Sequence, residues 1–307
     1  MSHIWFALLA VVLFAIFVPY IALNREAQTL DERTRADLGG TYVELPGGVT
    51  HYELSGPDDG PVVVLVHGGT IPLFTWDSQM PALREAGYRV LRYDQLGRGY
   101  SDRPRADYDR ALYQRQLEDL LSALGIDGPV DVLGVSFGAA VAATFTAAHP
   151  ERVRKLVFIA PVVDYAEGRA LFDLAKVPLL SEWYARVFAV RGAVARANGF
   201  FAQAGADPSY AERFDEQTRF DGFEQALLSM SRTDALTSYR DTYANLGEQP
   251  KLVIWGAEDG EIPRAHVDFI VENASNVSFV EVEGAGHGVT VERADEVNRR
   301  MVGFLAR

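Results

Sequence analysis

The sequence predicts an α/β fold: a mostly parallel, eight-stranded sheet with helices on both faces and an inserted helical cap. Three observations carry that expectation. Short apolar runs alternate with helical patterns from Thr41 onward, which is how strands joined by crossover helices read. Gly134-Val135-Ser136-Phe137-Gly138 sits between an apolar run and an alanine-rich stretch, so strand, sharp turn and helix follow one another there. Between Pro161 and Gln249 the alternation stops, and a segment that long must be structured or functional rather than a bare loop.

The elements follow in order. Ile4 through Leu23 is twenty residues without a charge, rich in Leu, Val, Ile and Phe and long enough to cross a ~30 Å hydrocarbon layer. Residues 1–24 are therefore expected to form an N-terminal transmembrane anchor, with Pro19 and Tyr20 near its far interface. Met1-Ser2-His3 carries no Lys or Arg and no Ala-x-Ala-like site follows, which speaks against a removed secretion signal. Arg25, Arg33 and Arg35 beyond the apolar run favour a cytoplasmic catalytic domain. Residues 25–40 read as a polar tether, and 41–307 as the catalytic domain with its cap at about 162–245.

Within that domain, Thr41–Leu45 and Val49–Leu54 flank Pro46-Gly47-Gly48 as a hairpin. Further strands are expected at Val62–Val66, Arg89–Tyr93, Val130–Leu133, Leu156–Ala160, Leu252–Trp255 and Val277–Val282. Leu112, Leu117, Leu120, Leu121 and Leu124 keep helical spacing and stop at Gly125, a C-terminal cap. Leu171, Leu174, Leu179, Trp183 and Val187 suggest one apolar face in the cap, and Val291–Leu305 closes the chain as an amphipathic helix.

Composition narrows the chemistry. With 42 acidic against 29 basic residues, a net charge of −13 and no Lys/Arg-rich tract, nucleic acid is excluded as a partner. There is no cysteine, so disulfides, thiolate nucleophiles and cysteine-bound metals are excluded as well. Ser136 is the candidate nucleophile. A free serine is a poor one, so a protein that uses it must expose, aim and activate it. A tight strand-to-helix bend exposes it and strains its backbone, and the flanking glycines leave the room. The helix that follows points unpaired N–H groups to where an oxyanion would develop.

Five ordered motifs extend this picture: His67-Gly68-Gly69, Asp94 through Ser101, Gly134 through Gly138, Trp255 through Asp259, and Gly284-Ala285-Gly286-His287. In them the chain resembles the α/β-hydrolase superfamily, specifically capped serine hydrolases of the monoacylglycerol-lipase and esterase type, over about residues 41–307. The resemblance implies a chain order of nucleophile, acid and histidine, hence Ser136, Asp259 and His287. His287 lies in a glycine-flanked loop after a strand. The other histidines have plainer settings: His3 beside the anchor, His51 in a hairpin strand, His149 at a helix end, His266 on a surface helix and His67 holding the turn before the oxyanion loop. Asp259 would accept the imidazole N–H, with Glu258 and Asp164 as rival acids. Phe137, directly after the nucleophile, offers one oxyanion-hole N–H, and the resemblance points to Gly69 for the other. Gly97 and Gly99 are assigned to a structural turn.

The expected reaction is hydrolysis of carboxylic esters through an acyl-serine, with no metal or organic cofactor. Anchor and apolar cap point to lipid-like substrates of the monoacylglycerol or lysophospholipid type. Phe172, Leu180, Trp183, Tyr184 and Phe188, with Phe200 and Phe201, either line an acyl tunnel or pack the cap core. Two alternatives stand beside this. Carbon–carbon bond hydrolases of ring-cleavage products use the same triad, although they typically have tryptophan where Gly288 follows His287. A non-catalytic hydrolase-fold receptor would be expected to have lost a triad member. Epoxide hydrolases and haloalkane dehalogenases place aspartate at the position of Ser136.

Overall fold

A computed structural model describes residues 2–165 and 175–307. Its centre is an eight-stranded sheet in the order β1-β2-β4-β3-β5-β6-β7-β8. The strands are β1 (Thr41–Leu45), β2 (Gly48–Ser55), β3 (Val62–Val66), β4 (Arg89–Tyr93), β5 (Val130–Val135), β6 (Val153–Ile159), β7 (Lys251–Gly256) and β8 (Val277–Val282). Only β2 runs against the others; from β4 to β8 every pairing is parallel. The interior strands are apolar because they are covered on both faces. Val64 and Val66 enter one core layer while Val63 and Leu65 enter the other, the period of two that a strand dictates.

The flanking helices are α2 (Glu32–Leu38), α3 (Met80–Glu85), α4 (Arg110–Ala123), α5 (Phe137–Ala148), α11 (Arg264–Asn273), α12 (Val289–Glu292) and α13 (Ala294–Leu305), after the N-terminal α1 (Ser2–Ala22). Helices α4, α5 and α11 pack on one face of the sheet, α3 and α13 on the other. Ala139, Ala140, Ala142 and Ala143 are all fully buried, and their small side chains let α5 approach the strands closely. The expected final helix is broken at Arg293, which leaves helical geometry at φ −133° and ψ 44°. Its first turn stays with the His287 loop, where the Glu292 carboxylate accepts the Gly286 N–H at 2.6 Å.

Between β6 and β7 the chain leaves the sheet and builds helices α6 (Leu180–Tyr184), α7 (Val190–Gln203), α8 (Ser209–Gln217), α9 (Phe223–Arg232) and α10 (Arg240–Ala244). A π-helical turn, Ala185–Ala189, joins α6 to α7. Leu171, Phe172 and Leu174 lie outside the described residues.

Residues 25–40 do not hang free. Gln28 forms a parallel bridge with Phe220, Ala27 donates to Arg219 O at 2.8 Å, and Glu26 accepts the Glu224 N–H at 2.7 Å. Arg25 pairs with Asp215 and Arg35 with Asp102. The segment read as a tether is a strap laid across the cap and onto the turn after β4. Its alternating charges look like solvated linker in the sequence, because the carboxylates that neutralise them lie some 67 to 190 positions away.

Candidate active site

In a parallel sheet, ligands collect beyond the carboxyl ends of the strands. The loops leaving β3, β5, β6, β7 and β8 there carry His67–Gly69, Ser136, Asp164, Asp259 and His287. Ser136 follows β5 with φ 54° and ψ −119°, a conformation that costs a residue with a side chain on the order of 1–3 kcal/mol. Its N–H is held by Ile159 O at 2.9 Å, and α5 starts at the next residue. The glycines are obligatory here. A Cβ on Gly134 would overlap the Gly138 backbone, and one on Gly138 would overlap the carbonyls of Val66 and His67.

The His67-Gly68-Gly69 loop lies over this bend. A Cβ on Gly69 would sit 3.5 Å from the Phe137 Cβ, so the two backbone donors expected for an oxyanion are neighbours. His67 fixes the loop. Its Nε2 accepts the Gln95 N–H at 2.8 Å, so the proton sits on Nδ1, which donates to Gly68 O at 2.7 Å. That carbonyl and the Gly69 N–H belong to one planar peptide group, so holding one aims the other. Complete burial pushes His67 down to about 4, which keeps the ring neutral. Arg98, only 1% exposed, adds a bond from Nε to Gly69 O at 2.6 Å and one to Gly97 O at 2.9 Å. Sequence reasoning missed Arg98, because nothing in a one-dimensional pattern separates a buried arginine in a glycine-rich turn from a solvated one.

The rest of that turn is structural, as expected for Gly97 and Gly99. Asp94 accepts from Leu73 N, Tyr100 N and His51 Nδ1 at 2.8 to 2.9 Å, tying β2, the loop after β3 and the turn together. A Cβ on Gly99 would overlap that carboxylate.

His287 Nδ1 lies 2.9 Å from Asp259 Oδ2. The other oxygen of Asp259, a fully buried side chain, accepts the N–H groups of Glu261 and Ile262 at 2.8 Å each. With Nδ1–H turned to the carboxylate, Nε2 keeps its lone pair for a proton acceptor's role. Neither rival acid competes: Glu258 is exposed, and Asp164 pairs with Arg240 at 2.7 Å. Ser136 and His287 line the same cavity of about 650 Å³ between the sheet edge and the cap. No hydrogen bond joins them among the described residues; contacts of this kind often tighten only with substrate present.

An alpha/beta hydrolase fold family model matches residues 61–294. The chain belongs to that family. This hydrolase-fold protein is 31% identical to a 2-hydroxy-6-oxononadienedioate/2-hydroxy-6-oxononatrienedioate hydrolase of Paraburkholderia xenovorans, over 83% of this chain and 90% of the relative. It is 26% identical to a non-heme chloroperoxidase of Streptomyces lividans, over 87% of this chain and 99% of that one. The crystal structure of an enol-lactonase from Burkholderia xenovorans superposes with a TM-score of 0.73 at 21% identity, covering 87% of this chain and 100% of the other.

The cavity of this hydrolase-fold chain only partly matches the apolar residues expected to line it. Tyr184, Phe188 and Phe200 face it. Phe201 does not; it is buried with Leu73, Phe74 and Phe214 in a separate cluster beneath the cap. Trp183 and Leu180 are absent from the lining, and Leu180 is exposed. Met230, Leu227 and Ile262 take their place. His266, expected on the surface, is half-buried at the cavity, where its Nδ1 faces the Val163 N–H at 3.2 Å.

The imidazole of His287 titrates above its usual value. Burial works against the cation, but the hydrogen bond and charge of Asp259, helped by Glu261, outweigh burial and the opposing charge of Arg196.

Proposed function

We propose that this hydrolase-fold protein is a serine hydrolase that cleaves carboxylic esters, preferring lipid-like ones of the monoacylglycerol or lysophospholipid type. One observation carries the reading: a histidine bonded to a buried carboxylate and a serine on a strained bend open on one largely apolar cavity. In that reading Ser136 Oγ attacks the ester carbonyl and His287 Nε2 takes its proton. The oxyanion forms against the N–H groups of Gly69 and Phe137. The imidazolium then hands the proton to the leaving alcohol, and a water activated by the same ring releases the acid from the acyl-serine. The lipid preference draws support from α1 and from Tyr184, Phe188 and Phe200 in the cavity wall.

A fluorophosphonate probe, followed by peptide mapping, should label Ser136 and no other residue; an unlabelled Ser136 in folded protein would reject the reading. A panel of acyl esters of graded length, run beside a ring-cleavage dione, then sorts the substrate. One observation favours a second reading, carbon–carbon hydrolysis of an acidic ring-cleavage product. Arg196 lines the cavity and has no acidic partner within ion-pair distance among the described residues, so a substrate carboxylate could meet it. Turnover of the dione with no turnover of any ester would decide for that reading.

A further inference from the structure

Among the described residues, the edge of the cap beside α1 carries exposed apolar side chains. Leu179 is 84% exposed, and Val177, Leu180 and Phe188 are each about half exposed. Leu179 is also held at φ 66°, a strained setting for leucine that aims a large apolar group into open space. In water that combination gains nothing.

Helix α1 explains it. His3–Ala22 has a mean hydropathy of 2.6 and none of it is buried in the protein. Its last turns are fastened to this cap edge: Trp183 Nε1 donates to Ile16 O at 2.8 Å, Arg186 stacks 4.3 Å over Tyr20, and Arg191 donates to Leu23 O at 3.0 Å. Ile16 lies six residues before Ala22, about 9 Å along the helix at ~1.5 Å per residue. With α1 across the hydrocarbon layer, Trp183 and its neighbours stand at the depth of the headgroup boundary, the zone that favours tryptophan, tyrosine and arginine. Phe188 packs on Trp183 at 5.6 Å, is exposed on one side and lines the cavity on the other, so the cavity rim lies within one side chain of the anchor.

We infer that the cap edge formed by Val177, Leu179, Leu180 and Phe188 is seated in the phospholipid interface, so that the cavity opens on the bilayer and receives its substrate from it. The partner is the lipid surface, chosen over a second protein copy because the patch continues from the apolar helix to which it is bonded. The inference rests on reading α1 as a membrane anchor and on the lipid preference of the proposed function, and deepens that preference.

The absence of cysteine makes the test clean. Single variants Leu179→Cys, Leu13→Cys and Gly128→Cys of the full chain are spin-labelled and reconstituted in palmitoyl-oleoyl-phosphatidylcholine vesicles. Power saturation with oxygen and a water-soluble nickel chelate then reads depth. The label at 179 should match the one at 13 in favouring oxygen, while the label at 128 favours nickel. A water-exposed 179 with a lipid-buried 13 overturns the inference alone; water exposure of both overturns the anchor itself. Spin–spin broadening at 179 that vanishes on dilution with unlabelled chain would assign the patch to self-association instead. The double variant Val177→Glu with Leu179→Glu, neither residue lining the cavity, should lose about tenfold on vesicle-resident monoacylglycerol while keeping its rate on a short soluble ester. A rate on vesicle-resident monoacylglycerol unchanged from the unsubstituted chain, or an equal loss on both substrates, would again overturn it.

Discussion

Ser136 combines two demands that separate under mutation. Its hydroxyl is the proposed nucleophile, and its backbone is strained by the presence of any Cβ at φ 54°. Ser136→Ala removes the first and keeps the second, so kcat should fall by about 10³-fold or more with thermal unfolding nearly unchanged. Ser136→Gly should lose the same activity and gain stability, about 1 kcal/mol, visible in calorimetry as a Tm rise of roughly 2–4 °C. A lower Tm would mean that the serine side chain supports the bend. For the acid, Asp259→Asn should cost about 10²-fold or more in kcat while Glu258→Gln leaves it alone; the reverse ranking would reassign the role. The pH profile probes the charges around the imidazole. A base must be neutral to act, so kcat/KM should rise with pH through the elevated value of His287. Glu261→Gln removes a charge that favours the cation and should move that limb to lower pH; Arg196→Gln should move it higher. Unmoved limbs would show that neither group acts on the ring.

The supersecondary elements explain why the bend is rigid. Strand β5, the tight turn and α5 fit together only because residues 134 and 138 lack side chains, and the loop after β3 lies against both. Gly138→Ala would force its methyl into two carbonyls, and should cost about 2 kcal/mol or more, a Tm drop of roughly 5 °C or greater. The periodic parts of this unit, the apolar strand and the alanine face of the helix, are legible from spacing alone. The Arg98 bond to Gly69 is not, and the sequence favours Asp259 over Asp164 through the family resemblance rather than through spacing, since each contact depends on which loops the sheet order makes neighbours. The same holds in the cap. Its helices read as apolar on one face, but whether Phe200 or Phe201 meets the cavity is a rotation of one residue, about 100°, that only packing fixes. Phe200 also fills the space left by Gly288, where a Cβ would come within 2.9 Å of its ring.

Across the whole molecule, α1 and the strap that follows it have separable roles. Removing residues 1–24 should give a soluble protein that still hydrolyses short esters, because the bonds from Arg25, Gln28 and Arg35 to the rest of the chain remain. Removing 1–40 deletes those bonds and should lower Tm by several degrees with faster proteolysis of the cap; identical melting of the two truncations would show the strap to be idle. Acid sensitivity has a defined window. The folded-state value of His67 is depressed to about 4 while the unfolded ring titrates near its ordinary value, so below about 6.5 the unfolded state binds the extra proton. Stability should therefore be full above that pH and fall progressively towards 4, by on the order of 3 kcal/mol. His287, with its raised value, works in the opposite direction, contributing most below its unfolded value and losing that contribution as pH rises through the folded one. Replacing His67 with Gln should flatten the acid decline in chemical denaturation; an unchanged slope would assign it to other groups.

Spacing and residue type by themselves determined the strands, the layered α/β class, the glycine-flanked serine and the apolar N-terminal helix, because each is a local or periodic property of the chain. Three-dimensional packing decided the rest. It joined His287 to one of three possible carboxylates, buried Arg98 beneath the His67–Gly69 loop, laid residues 25–40 on the cap, and stood an apolar edge beside α1. Those outcomes are contacts between segments far apart in the chain, and a contact of that kind is fixed by which surfaces meet when the sheet closes, a quantity that no stretch of sequence holds alone.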